Sequence, residues 1–209
     1  MTDVRQEMVD AADLFYHRGW MAGTAGNLSV RDPDDSGLVW ITASGKPKGL
    51  LTVGDLVGVG LDGKVASSVG NPKGNRPSAE TSIHLAIYEV LPQVAAVYHV
   101  HTVEANLLTA LHGDSRIPLP KIEMLKGLGL RDESAGASIE VFENHLDVSQ
   151  VAHEVAVSLR GTAPAIPGLL IRGHGLTAWG ATPLDALHAV ELLDFCFRYA
   201  LAARSVGLS

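Results

Sequence analysis

A single cysteine, Cys196, stands in a chain of 209 residues, so no disulfide can form within it. That scarcity favours a reducing compartment, and a cytoplasmic protein is expected. No apolar run approaches the ~20 residues of a membrane-spanning helix, so no membrane partner is expected. The opening stretch, MTDVRQEMVDAADLF, has no apolar segment of the kind a secretory signal carries. Basic residues are outnumbered, 16 against 23 acidic ones, giving a formal charge of −7. There is no basic run and no aromatic-rich basic stripe, which excludes an ordinary nucleic-acid-binding surface. An anionic small-molecule substrate is not excluded, because a local site needs only a few backbone N–H groups and one cation.

Hydrophobic residues make up 46% and charged residues 19%, the balance of a globular chain with room for one well-developed core. No repeat or linker divides it, and a single domain over residues 1–209 is expected. Apolar residues at helical spacing predict an amphipathic helix in RQEMVDAADLFYHRGW. Short strands follow in GNLSVR and GLVWITASG, around the turn signal DPDDSG. DLVGVGLDGKV predicts a hairpin turning at Asp62-Gly63. A polar loop, GNPKGNRPS, precedes a helix AETSIHLAIYEVL that Ser78 is expected to cap. The strand AAVYHVHT, the helix VEANLLTALHG and a long connection SRIPLPKIEMLKGLGLRDESAG come next. ASIEVFE predicts a strand, and DVSQVAHEVAVSLRG a helix capped near Asp147 or Ser149. PGLLIRGHGLTAWG reads as strand, turn, strand. The last segment, from Thr182, has a threonine cap, Pro183 at the first position and Asp185 at the third, and predicts a long helix. Helices alternate with strands, but hairpins are mixed in. This pattern predicts an α/β layered fold with a central, mostly antiparallel sheet flanked by helices.

Nine histidines are present, an unusual supply of one chemistry. His17, His112, His145, His153 and His188 are assigned to the surface or to structural roles. His84 follows Glu80 by four residues on one helix, and a structural hydrogen bond is its expected role. His99 and His101 differ. They sit one residue apart in a strand, where alternate side chains share a face, so both imidazoles point the same way. Paired imidazoles suit a metal better than a core. A catalytic zinc needs a third protein ligand and an open position. His174 is the best candidate, because Gly173 and Gly175 let the backbone turn and approach a site closely. The alternative is a β-turn that merely tolerates histidine.

Two turns, GTAGNLS and TASGKPKG, expose successive N–H groups and hydroxyls suited to a phosphate, with Lys46 or Lys48 adding charge; they could equally be polar hairpin loops. Two acids stand out. Glu80 begins a helix, where a carboxylate also complements the helix N-terminus. Glu123 in KIEMLKG has apolar neighbours; partial burial would raise its pKa and fit it for proton transfer, whereas exposure would leave it paired with Lys121 or Lys126.

In order, GTAGNLS, ITASGKPKG, RPSAET, YHVHT and IRGHG resemble the class II aldolase/adducin family across nearly the whole chain. Within it, PSAETSIHLAIY, PLPKIEMLKGLG and LLIRGHGLTAWG look most like its dehydratase branch. The resemblance implies a zinc ion, one per subunit, held by His99, His101 and His174. It implies that Asn27, Ser44, Gly45, Ser78 and Ala79 hold a substrate phosphate, and that Glu80 and Glu123 exchange protons. The implied reaction is loss of water from 5-methylthioribulose 1-phosphate, a small phosphorylated sugar. A homotetramer with interfacial sites is implied too, in which Glu123 serves a neighbour's metal. The alternatives are aldol cleavage of fuculose or rhamnulose 1-phosphate, epimerisation of a pentulose phosphate, and a non-catalytic adducin-like domain. One departure is Thr177, where the dehydratases often carry tyrosine; a minor effect is expected from it.

Overall fold

The computed structural model describes residues 3–68, 74–130 and 136–208. Helix α1 (Val4–His17) opens the chain, capped by the Asp3 carboxylate, which accepts from Arg5 N–H. Strands β1 (Asn27–Arg31), β2 (Leu38–Thr42), β3 (Leu56–Gly60) and β4 (Val65–Ser68) form a meander. The β3–β4 turn falls where Asp62-Gly63 predicts it, with Gly63 at φ +81°. Helix α2 (Thr81–Val90), strand β5 (Ala96–Val100) and helix α3 (Val103–Leu111) follow. The long connection contains a short strand, β6 (Arg116–Pro118), and a 3₁₀ segment, Glu123–Leu128. Strand β7 (Ser138–Phe142), helix α4 (Val148–Gly161), strands β8 (Gly168–Ile171) and β9 (Gly175–Gly180), and helix α5 (Pro183–Ser205) complete the chain. Part of the polar loop at 70–78 and residues 131–135 of the long connection lie outside the described residues.

The nine strands among the described residues form one sheet in the order β4-β3-β2-β1-β5-β9-β8-β7-β6. Every pairing is antiparallel except β7–β8. The expected architecture, a mostly antiparallel central sheet with flanking helices, is therefore present. Alternation along the strands divides the core. Tyr98, Ala96 and Val100 face one side with Phe15 of α1 and Val190, Leu193 and Phe197 of α5. Val97 faces the other with Ile83 and Ile87 of α2 and Val151 and Val155 of α4. Burying this apolar surface, at roughly 25 cal/mol per Å², is what holds the layers together.

Local signals place the element ends. Thr182 accepts from Asp185 N–H and Pro183 opens α5, as the sequence predicts. Asp147 caps α4, accepting from Ser149 N–H. Helix α2 begins later than expected. Its cap residue is Glu80, not Ser78, and the Ser78 hydroxyl accepts from Glu80 N–H at 3.3 Å. The reason lies upstream: Ala43 bridges Pro77 and Ser44 N–H donates to Arg76 O, so residues 76–77 remain extended beside the β2 end.

Candidate metal centre

Strand register assembles the site. Asn27 on β1 and Thr177 on β9 both pair with His99 on β5, so one row of side chains crosses three neighbouring strands. Directly opposed residues share a sheet face, and this row lies on the face covered by α2 and α4. His101 follows on the same face, just past β5, where its N–H donates to Trp20 O. The β8–β9 turn brings in His174. The three imidazoles stack edge to face with ring centres 4.6–4.9 Å apart. Glu80 closes the group from the start of α2. Ligand-type atoms of Glu80, His99, His101 and His174 all lie within 4.8 Å of one another.

Gly175 makes the approach possible. A Cβ there would sit 2.3 Å from Val100 O and 3.1 Å from carbons of both the His99 and His101 rings. Gly173 has φ +60°, so the Gly-His-Gly pattern serves one left-handed residue and one close contact.

The electrostatics suit a cation. Burial draws His99 and His101 down to about 3 and about 4, against the pull of the Glu80 carboxylate, so both imidazoles are neutral at pH 7. His99 Nε2 lies 2.9 Å from His101 Nε2, and His99 Nδ1 lies 2.9 Å from Thr177 Oγ1. With Nδ1–H donating to the threonine, the His99 Nε2 lone pair faces the cluster. Burial alone would raise the Glu80 carboxyl. Hydrogen bonds from His174 Nε2 and the Asn27 amide work against it, and Glu80 is held well below the usual carboxylate range. Glu80 Oε1 lies 2.9 Å from His174 Nε2, Oε2 lies 3.4 Å from His99 Nε2, and Asn27 Nδ2 donates to Oε2 at 2.5 Å. Three imidazoles converging beside a carboxylate fit a divalent metal of the zinc, iron or copper type. Such a packing of buried bases has no value as apolar core.

Phosphate-type positions gather at the same sheet end. The β2 end meets the start of β1, where Leu28 N–H donates to Thr42 Oγ1. Ser44 and Gly45 follow directly, with Gly45 at φ +72°, and the Ala43–Pro77 bridge carries Ser78 and Ala79 beside them. Lys46 pairs with Asp55 at 2.9 Å. Lys48 is the buried cation, only 2% exposed. Its ammonium donates to Thr24 O at 2.8 Å and Lys46 O at 3.0 Å, tying the two glycine-rich turns together. Burial lowers it to about 8, against the pull of Glu80.

Three of the residues singled out in the sequence gain defined surroundings. Asn27 gives an amide proton to Glu80, so its first partner is the carboxylate. Glu123 is not partly buried: its side chain is 83% exposed, it pairs with Lys126 at 3.4 Å, and it is not in the histidine group. Its apolar neighbours Leu125 and Leu128 turn inward from the 3₁₀ segment while Glu123 turns out. The Thr177 hydroxyl lies 2.9 Å from His99 Nδ1. Nothing in sequence spacing reveals that contact; the β5–β9 register creates it. His84 behaves as expected, with Nδ1 2.7 Å from Ser29 Oγ and burial lowering it to about 4.

Such a sheet, carrying three histidines and a glutamate at one end, presents a candidate metal site in an α/β fold. The chain matches the class II aldolase and adducin N-terminal domain over residues 6–201 and belongs to that family. It is 48% identical over 206 residues to the methylthioribulose-1-phosphate dehydratase of Microcystis aeruginosa, covering 99% of this chain and 98% of that one. The enzyme of the same name from Leptospira biflexa is 40% identical, covering 91% and 92%. Among solved structures, an L-fuculose 1-phosphate aldolase superposes with a TM-score of 0.80 at 26% identity, covering 99% and 89%. The Thermus thermophilus L-fuculose-1-phosphate aldolase gives 0.75 at 25%, covering 96% and 95%.

Proposed function

We propose that this chain is a zinc-dependent carbon–oxygen lyase that dehydrates 5-methylthioribulose 1-phosphate to 2,3-diketo-5-methylthiopentyl 1-phosphate in methionine salvage. The observation that carries it is the near-full-length 48% identity to a dehydratase of that name, together with the intact histidine triad. Residues 1–209 serve the reaction as one domain, in the cytoplasm.

His99, His101 and His174 hold the metal. When bound, zinc supplies Lewis-acid polarisation of the C2 ketone, which acidifies the C3 proton. A carboxylate takes that proton. Glu80 is the carboxylate within the histidine group and is placed to take it. The C4 hydroxyl then leaves as water with a proton from an acid. The resulting enol loses its hydroxyl proton and gains one at C4, giving the second ketone. Ser44, Gly45, Ser78 and Ala79, with Asn27, hold the phosphate, and Lys48 stiffens the turns that present them. Glu123 takes its share of the proton transfers by reaching a neighbouring protomer's cluster in a homotetramer, which accounts for an acid exposed in the single chain.

Incubating zinc-loaded protein with 5-methylthioribulose 1-phosphate tests the reading. The diketone is expected, and His99→Ala should abolish it. Aldol cleavage is the second reading, favoured by the 0.80 superposition on a fuculose-phosphate aldolase. Release of dihydroxyacetone phosphate from fuculose 1-phosphate, without diketone formation, would replace the first reading with the second. Epimerisation of a pentulose 5-phosphate would be tested next, and the non-catalytic adducin-like reading requires a protein that binds no metal.

A further inference from the structure

The three imidazoles are not held alike. His99 has a hydroxyl partner on Nδ1. His174 Nδ1 is buried with no hydrogen-bond partner among the described residues. His174 also rides on a turn between two glycines, the most pliable backbone of the three ligand positions. Its Nε2 meets Glu80 Oε1 at 2.9 Å, and the main chain of the turn adds a second restraint.

Helix α3 grips that turn at three consecutive residues. The Arg172 guanidinium donates to Thr109 O at 2.8 Å, His112 O at 2.6 Å, Gly113 O at 3.3 Å and Asp114 O at 3.1 Å. The first two belong to the end of α3, where the last carbonyls have no partner within the helix, and the other two follow it. Gly173 N–H donates to Thr109 Oγ1 at 3.1 Å. At His174 itself, Asn106 Nδ2 donates to the backbone oxygen at 3.0 Å. The same nitrogen donates to Thr102 O, also at 3.0 Å. Thr102 is the residue after His101. One amide therefore bridges the main chain beside the second ligand to the main chain of the third.

We propose that Asn106 is a positioning residue that fixes His174 against His101 and so sets the geometry and affinity of the metal centre. This rests on the reading of the triad as a metal site. Asn106 touches neither metal nor substrate. It acts because both of its amide protons are committed to ligand-bearing segments, and α3 is the rigid bar from which they hang. Residues that orient metal ligands typically contribute 10- to 100-fold in affinity.

The test is metal binding by apoprotein, titrated with Zn²⁺ against a chromophoric chelator, with the visible spectrum of the Co²⁺ form as a geometric readout. Asn106→Asp keeps the shape but replaces two donors by an anion facing two carbonyls. It should weaken Zn²⁺ binding about 10- to 100-fold and alter the Co²⁺ bands, while the thermal midpoint of the apoprotein drops far less than in a core variant. In a His174→Ala background the same change should add less than about twofold, because its effect passes through that ring. Should Asn106→Asp fail to fold, Thr109→Val removes the Gly173 anchor together with the hydroxyl's own bond to Asn106 O, and is expected to weaken binding about 10-fold. Wild-type affinity with an unchanged Co²⁺ spectrum, or an equal loss in the His174→Ala background, overturns the proposal and leaves the metal site standing. Failure of the wild-type protein to bind either metal overturns both.

Discussion

At the scale of single residues the site depends on partners one step behind the ligands. Thr177→Val keeps the shape of the side chain and removes the hydroxyl facing His99 Nδ1. We expect about 10-fold weaker zinc binding, measured by chelator competition, with little change in apoprotein stability. His84 offers a pH test away from the ligands. Its imidazole is neutral in the fold down to about 4, against 6.5 when unfolded. Below pH 6.5 the unfolded chain binds a proton that the folded chain refuses. Stability from this group is therefore complete above 6.5 and falls as pH drops toward 4. Urea denaturation at pH 7 and pH 4.5 should show His84→Gln losing about 2–3 kcal/mol less than the parent between the two. Equal losses would mean that His84 is already protonated in the folded protein.

At the scale of elements, turns between strands carry the chemistry and helices hold them in place. Gly175→Ala is the sharpest probe. The added methyl meets Val100 O and two imidazole rings, so β9 must move from β5 or the rings must part. We expect about 1–3 kcal/mol of destabilisation in a thermal melt, and loss of zinc at stoichiometric concentration. Lys48→Met tests the other pair of turns. It preserves the buried stem and removes the ammonium that joins Thr24 O to Lys46 O. The expected outcome is a KM raised about 10-fold, the worth of roughly one charged hydrogen bond, with kcat changed less. A fall in kcat at constant KM would instead place Lys48 in the proton transfers. The sequence is explicit about these turns: glycines, the Thr182-Pro183 start and the Asp62-Gly63 hairpin are all local chemistry. It is silent on Asn106, which reads as an ordinary helical residue until the β8–β9 turn lies against it.

At the scale of the whole molecule, Glu123 stands in solvent in the single chain, apart from the histidine group. Light scattering should give a mass about four times the 22.0 kDa of one chain. Subunit mixing then asks where Glu123 works. Inactive Glu123→Gln and inactive His99→Ala proteins, unfolded together and refolded, should recover part of the parent activity, because some interfaces would pair an intact triad with an intact glutamate. Full activity of Glu123→Gln alone would remove it from the reaction and leave Glu80 as the acid–base group.

The sequence by itself determined most of the strands and helices (though not β6 or the start of α2), the layered class of fold and the grouping of His99, His101 and His174. It could do so because each is written in short range: period two in β5, capping residues at helix starts, glycines flanking a histidine. Only the tertiary structure decided which groups surround the triad. Thr177 reaches His99 through strand register, Asn27 turns to Glu80 across 53 residues, and Asn106 spans 68 residues to His174. Whether Glu123 is buried depends equally on which way the 3₁₀ segment rotates over α5. Contacts of that kind are fixed by how layers pack, and no local pattern of residues encodes them.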